Sequence, residues 1–128
     1  MINISKGLDL PISGKPDLNI ADTPNVSSVS LLSNDFIGMK PTMLVREGDE
    51  VKVGTKLFED KKNEGIFFTS PAGGEIKSIN RGDKRKFLSV EIEISQNEQF
   101  IEYEFGDSID STKNNLISSG LWNAFRTR

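Results

Sequence analysis

The side chains that most often do chemistry are missing from this sequence, which contains no histidine and no cysteine. Their absence removes disulfides, thiolate nucleophiles, iron–sulfur ligation, the usual zinc sites and the hydrolytic triads built on an imidazole base. What remains is carboxylate chemistry, in which two acids must flank one substrate. The candidates are Glu59-Asp60, Glu91 with Glu93, and Glu102 with Glu104. The last two pairs have the alternate spacing of a solvated strand face, where both carboxylates point to water. An autonomous active site is not expected, and no residue is assigned a catalytic role or a metal.

The remaining candidates are binding groups. Lys61, Lys62 and Asn63 sit together between apolar runs, as a hairpin tip that meets a partner or as a solvated turn whose charges protect a sheet edge. Arg81, Lys84 and Arg85, followed by Lys86, place four cations in a six-residue turn. They fit an acidic protein surface or lipid headgroups, and an exposed hairpin turn accounts for them nearly as well. The Arg81-Gly82-Asp83 tripeptide would matter for adhesion only outside the cell. Leu32, Phe36, Ile37 and Met39 crowd a loop broken by Gly38 and Pro41, so that loop must be buried or touch something. Trp122, Phe125 and Arg126 have the residue types of an interface anchor, or of a surface covered by a following domain.

The elements that position these groups are legible from turn chemistry. In V-R-E-G-D-E-V-K-V-G-T-K-L, Gly48 and Gly54 separate short apolar runs where a tight turn needs positive φ, and Val45, Val51, Val53 and Leu57 mark half-buried strands. The pattern repeats in S-P-A-G-G-E-I-K-S-I, and Val90-Glu91-Ile92-Glu93-Ile94 alternates strictly between core and water. Ile2 and Ile4 read as an edge strand, residues 13 to 28 as a loop, and Val29 and Leu31 as a resumed strand. Phe100, Tyr103 and Phe105 read as an aromatic strand end closed by Gly106. A short helix follows, capped by Asp107-Ser108 or Asp110-Ser111 and ended by a left-handed Gly120.

With 128 residues, 35% of them hydrophobic, the chain is read as a β-module over 1–106 and a helical segment over 107–128 that leads into a further domain. Sixteen basic against nineteen acidic residues give a net charge of −3, which argues against nucleic-acid binding. No apolar run approaches the ~20 residues of a membrane span, and the N-terminus lacks a signal-peptide layout, so a cytoplasmic location is expected. The Asn3-Ile4-Ser5 and Asn25-Val26-Ser27 tripeptides then carry no glycan.

From Val45 to Ile94 the glycine–valine pattern with Ser70-Pro71-Ala72-Gly73-Gly74-Glu75-Ile76 resembles biotinyl and lipoyl carrier domains. That resemblance implies a mostly β barrel-sandwich hybrid, here with a short C-terminal helix, and a freestanding carrier would take biotin or lipoate on Lys61 or Lys62. This tip departs from the carrier pattern in having two adjacent lysines in a longer charged loop. A likeness over the whole chain rests on five ordered blocks: K-G-L-D-L-P-I-S-G, G-M-K-P-T-M, L-F-E-D-K-K-N, N-R-G-D-K-R and S-G-L-W-N-A-F-R-T-R. These resemble the N-terminal part of the A subunit of the sodium-translocating NADH:quinone oxidoreductases, a relative of the C subunit of Rnf electron-transport complexes.

The family resemblance implies a peripheral subunit on the cytoplasmic face of the bacterial inner membrane, with no redox cofactor in this chain. NAD, flavins and an iron–sulfur centre would belong to partner subunits, and the complex would reduce quinone and export sodium. Within that setting Leu32, Phe36, Ile37 and Met39 are the candidate quinone-facing or partner-facing surface, since a quinone needs apolar, aromatic and soft side chains. Lys61, Lys62, Asn63, Arg81, Lys84, Arg85, Trp122, Phe125 and Arg126 are the candidate docking residues. The C subunit of an Rnf complex would differ by cysteine-rich ferredoxin motifs farther along the chain.

Overall fold

Glycine turns and alternating apolar residues organise two antiparallel sheets that face each other across one core. The computed structural model describes Gly7, residues 13–20, Asp22, residues 24–104 and residues 106–125. The expected edge strand at Ile2 and Ile4, together with Phe105 and Arg126, lies outside the described residues. The strands are β1 (Ser28–Leu32), β2 (Pro41–Met43), β3 (Glu50–Val51), β4 (Lys56–Asp60), β5 (Phe67–Thr69), β6 (Gly74–Arg81) and β7 (Phe87–Ile94). One sheet has the order β1-β7-β6-β3 and the other β2-β4-β5.

The alternation read in β7 is what the sheet uses. Val90 and Ile92 are fully buried and Glu91 and Glu93 turn outward, so the period of two puts one face on the core. β4 departs from that period, because Leu57 and Phe58 are consecutive and both fully buried. A register shift between Lys56 and Phe58 in the β4–β5 pairing explains this, since a bulge lets two neighbouring side chains turn to the same face. Phe58 then sits at the centre of an aromatic cluster, with ring centroids 4.9 Å from Phe68 and 5.2 Å from Phe87.

Gly48 (φ 88°) and Gly54 (φ 91°) adopt the left-handed conformation that their spacing predicted. Gly48 N–H donates to the Ile76 carbonyl at 2.8 Å, and Gly54 N–H donates to the Ser70 carbonyl at 2.8 Å, so each turn is stitched to a distant segment. The aromatic stretch at Phe100 and Tyr103 does not form the expected strand. Only an isolated parallel bridge pairs Phe100 with Val53, and Phe100 is 63% exposed. A strand needs a ladder, and here the one available partner is a residue that already belongs to a turn.

The C-terminal helix α1 (Ile109–Ser118) begins where Ser108 Oγ accepts from the Ser111 amide at 3.1 Å. Gly120 (φ 78°) ends it, and a short 3-10 turn, Leu121–Ala124, follows. Thr69 Oγ1 donates to the Ser119 carbonyl at 3.2 Å and Tyr103 OH donates to the Ser118 carbonyl at 3.3 Å, which lays the helix end against β5. Trp122 packs on the core as a half-buried side chain. Among the described residues no helix is long and apolar enough to cross a membrane.

Candidate functional site

Three connections gather at one end of the sandwich: the β1–β2 loop, the β4–β5 tip and the β6–β7 turn. In the first, a 3-10 turn (Ser33–Asp35) closes as Phe36 N–H donates to the Ser33 carbonyl at 3.2 Å, and Met39 N–H donates to the Phe36 carbonyl at 3.2 Å. This tight path splits the apolar residues between two directions. Phe36 points inward, its ring centroid 4.3 Å from that of Phe68 and 6.1 Å from that of Phe58, and Met39 packs on the same core. Ile37 points outward and is 99% exposed, while Leu32 is 48% exposed. Half of the loop is therefore ordinary core, and half is free surface.

The tip is organised by a residue whose role the sequence did not announce. Asp60, only 7% exposed, accepts hydrogen bonds from the Lys40 amide at 3.0 Å, the Lys62 amide at 3.1 Å and the Asn63 side-chain amide at 2.6 Å. Burial pushes its carboxyl pKa up, but the Asn63 amide, the two backbone amides and the Lys62 charge together outweigh that and hold it below its ordinary value. Asp60 is a fastener and not half of an acid pair. The one available signal was local: an Asp whose carboxylate reaches the amide two residues on is a turn former, and Lys61-Lys62-Asn63-Glu64-Gly65 is a turn. Its bond to Lys40, twenty residues earlier, had no such signal.

The tip and the loop form one unit. Lys61 N–H donates to the Lys40 carbonyl at 2.8 Å, and Lys62 Nζ donates to the Gly38 carbonyl at 2.7 Å. Between them lies a cleft of about 360 Å³ bordered by Ile37, Met39, Asp60, Asn63, Phe68 and Asn123. A second cleft of about 330 Å³ lies on the other side of the same loop, between Ile37 and Lys86. Ile37 thus stands as a crest between the lysine tip and the basic turn.

The β6–β7 connection carries Arg81, Lys84 and Arg85, the last two in a strained conformation. Lys84 (φ 53°) and Arg85 (φ 61°) are both left-handed, in a turn where Arg85 N–H donates to the Gly82 carbonyl and Lys86 N–H to the Asp83 carbonyl, each at 3.1 Å. Hairpin turns with two positive φ values favour Asn-Gly, and charged residues there carry a steric penalty. Arg81 Nη1 donates to the Arg85 carbonyl at 3.4 Å. Leu88, 44% exposed, lies over Gly82 beside these cations.

The other predicted docking residues sit apart. The Trp122 and Phe125 rings meet at a tilt of 44° with centroids 5.4 Å apart, and Lys113 Nζ lies 5.5 Å from the Trp122 ring. Trp122 is half-buried against the core, and Phe125, 45% exposed, is the more accessible of the pair. The nearby Asn123 reaches the first cleft.

Two antiparallel sheets packed on one core, with hairpin connections gathered at one end, define a barrel-sandwich module. The chain belongs to the NqrA N-terminal barrel-sandwich hybrid domain family, whose model matches residues 2–95. It is 50% identical over its whole length to the A subunit of the Na(+)-translocating NADH-quinone reductase of Yersinia pseudotuberculosis serotype O:1b. The A subunits of the same reductase from Cellvibrio japonicus and Actinobacillus pleuropneumoniae serotype 5b are 49% and 52% identical over the same span. The chain spans 30% of the length of each of these relatives.

Proposed function

We propose that this chain is the N-terminal part of the A subunit of a sodium-translocating NADH:quinone reductase and that it positions and docks that subunit. The observation that carries this reading is 50% identity over the full length of the chain, a span that includes both the sandwich and the C-terminal helix. In the complex, electrons pass from NADH to a quinone and drive sodium export, with flavins and an iron–sulfur centre held by partner subunits. The module contributes a rigid end, in which Asp60 ties tip to loop, and leaves the chemistry to others. Residues 107–128 continue into the next domain, and the whole polypeptide lies on the cytoplasmic face of the bacterial inner membrane.

Within this reading Ile37 and Leu32 are the groups of the candidate partner or quinone surface that remain exposed for contact, since Phe36 and Met39 are spent on the core. Deleting the gene is expected to abolish sodium-stimulated NADH:quinone reductase activity in membranes, and restoring the full-length copy to recover it. Activity that survives the deletion would overturn the assignment. The isolated 128-residue chain is expected to oxidise no NADH.

A further inference from the structure

We propose that the end formed by the β1–β2 loop, the β4–β5 tip and the β6–β7 turn binds the surface of an anionic lipid bilayer, with Ile37 inserted among the headgroups. The charge of the chain is unevenly divided. Residues 35–40, 59–66 and 81–88 hold seven of its sixteen Lys and Arg and only five of its nineteen Asp and Glu. One of those five, Asp60, is turned inward and consumed by internal donors. Lys61, Lys84, Arg85 and Lys86 have no carboxylate within salt-bridge distance among the described residues. The opposite end carries the reverse sign: Glu50 pairs with Glu75, and Glu75 with Glu93, in one row across β3, β6 and β7. The module is electrically polar along its strands, and an anionic surface attracts the basic end while repelling the other.

The apolar groups decide between a membrane and an acidic protein. Ile37 stands fully exposed between the two basic connections, and Leu32 and Leu88, each nearly half exposed, lie at the same end. A charged protein patch would satisfy the cations but press these side chains against polar groups. A bilayer accepts both, with phosphates for the lysines and arginines and the acyl boundary for the apolar tips. The turn gives a second argument. Lys84 and Arg85 occupy two successive left-handed positions where Asn-Gly would sit without strain, so their side chains are present at a conformational cost. This inference goes beyond the proposed subunit role, although a sodium-translocating complex supplies the membrane.

The test is co-sedimentation of the 128-residue chain with vesicles of equal parts phosphatidylcholine and phosphatidylglycerol, against vesicles of phosphatidylcholine alone. Binding is expected only to the anionic vesicles, and to weaken as salt rises from about 0.05 to 0.5 M. Lys84→Asn/Arg85→Gly is expected to cut the partition coefficient about 30-fold, from roughly 1 kcal/mol per cation, and Ile37→Ser about fivefold. The turn variant relieves strain, so its thermal midpoint should not fall and lost binding cannot be put down to unfolding. Lys52→Gln, which removes a cation from the opposite end, should leave the partition within a factor of two. Equal binding to both vesicle types, no binding at low salt, or an equal loss in Lys52→Gln would each overturn the proposal, as would capture by an acidic protein surface without vesicle binding. Failure of the vesicle experiment leaves the gene-deletion result untouched, so the two readings fail separately.

Discussion

At the scale of single residues, Asp60 matters most. It is a carboxylate that the sequence offers as a candidate acid and that the fold uses as a triple acceptor. Asp60→Ala strips the partners from the Lys40 and Lys62 amides and the Asn63 side chain, and it is expected to cost about 2–3 kcal/mol. A loss below 1 kcal/mol in denaturant unfolding would mean that water replaces the carboxylate without penalty. The pH dependence has a defined sign. Because the folded-state pKa lies below the ordinary value of 3.8, the stabilisation is fully present above that value and disappears as pH falls through the folded pKa. The stability gap between the parent and Asp60→Asn should therefore be widest near pH 6 and shrink steadily in acid below about pH 4.

At the scale of elements, the attachment of α1 depends on one glycine. Gly120 is left-handed, and a Cβ there would lie 3.0 Å from the Phe67 carbonyl oxygen and 3.1 Å from Thr69 Cγ2. The chain can reverse closely against β5 only without a side chain at this point. Gly120→Ala is expected to lower stability by about 1–2 kcal/mol and to loosen the 3-10 turn that carries Trp122. Since Trp122 is the one tryptophan, its fluorescence reports directly on that docking, and an unshifted, unquenched spectrum would show the turn still seated. The glycine stop and a capped start were readable in advance, because they follow from backbone groups within a few residues, and the structure selects Ser108 from the two caps that the sequence offers. The aromatic stretch at Phe100 and Tyr103 was not, because a strand is defined by a partner elsewhere in the chain.

At the scale of the whole molecule, charge is divided between the two ends of the sandwich. The row Glu50–Glu75–Glu93 sets like charges directly opposite one another across three strands, an arrangement that weakens pairing. Glu75→Lys is expected to raise the thermal midpoint by a few degrees at low salt and by less at high salt. A midpoint that stays fixed or falls would show that the three carboxylates are already screened apart. The same substitution reduces the end-to-end polarity that orients the module.

The sequence by itself determined the class of the fold, the turns and the family. Glycines needing positive φ, strict alternation in Val90–Ile94 and a capped helix are local rules that hold wherever the segment lies. It also determined that histidine and thiol chemistry were unavailable. Only the tertiary structure decided which candidates share a surface. Phe36 and Ile37 are neighbours of similar apolarity, yet a tight turn sends one into the aromatic core and leaves the other exposed. The Lys61–Asn63 tip and the Arg81–Lys86 turn are some twenty residues apart, and they flank one loop because β1, β4 and β6 all end on the same side. Such convergence arises from the packing of two sheets around Phe58, a long-range property that no window of sequence contains.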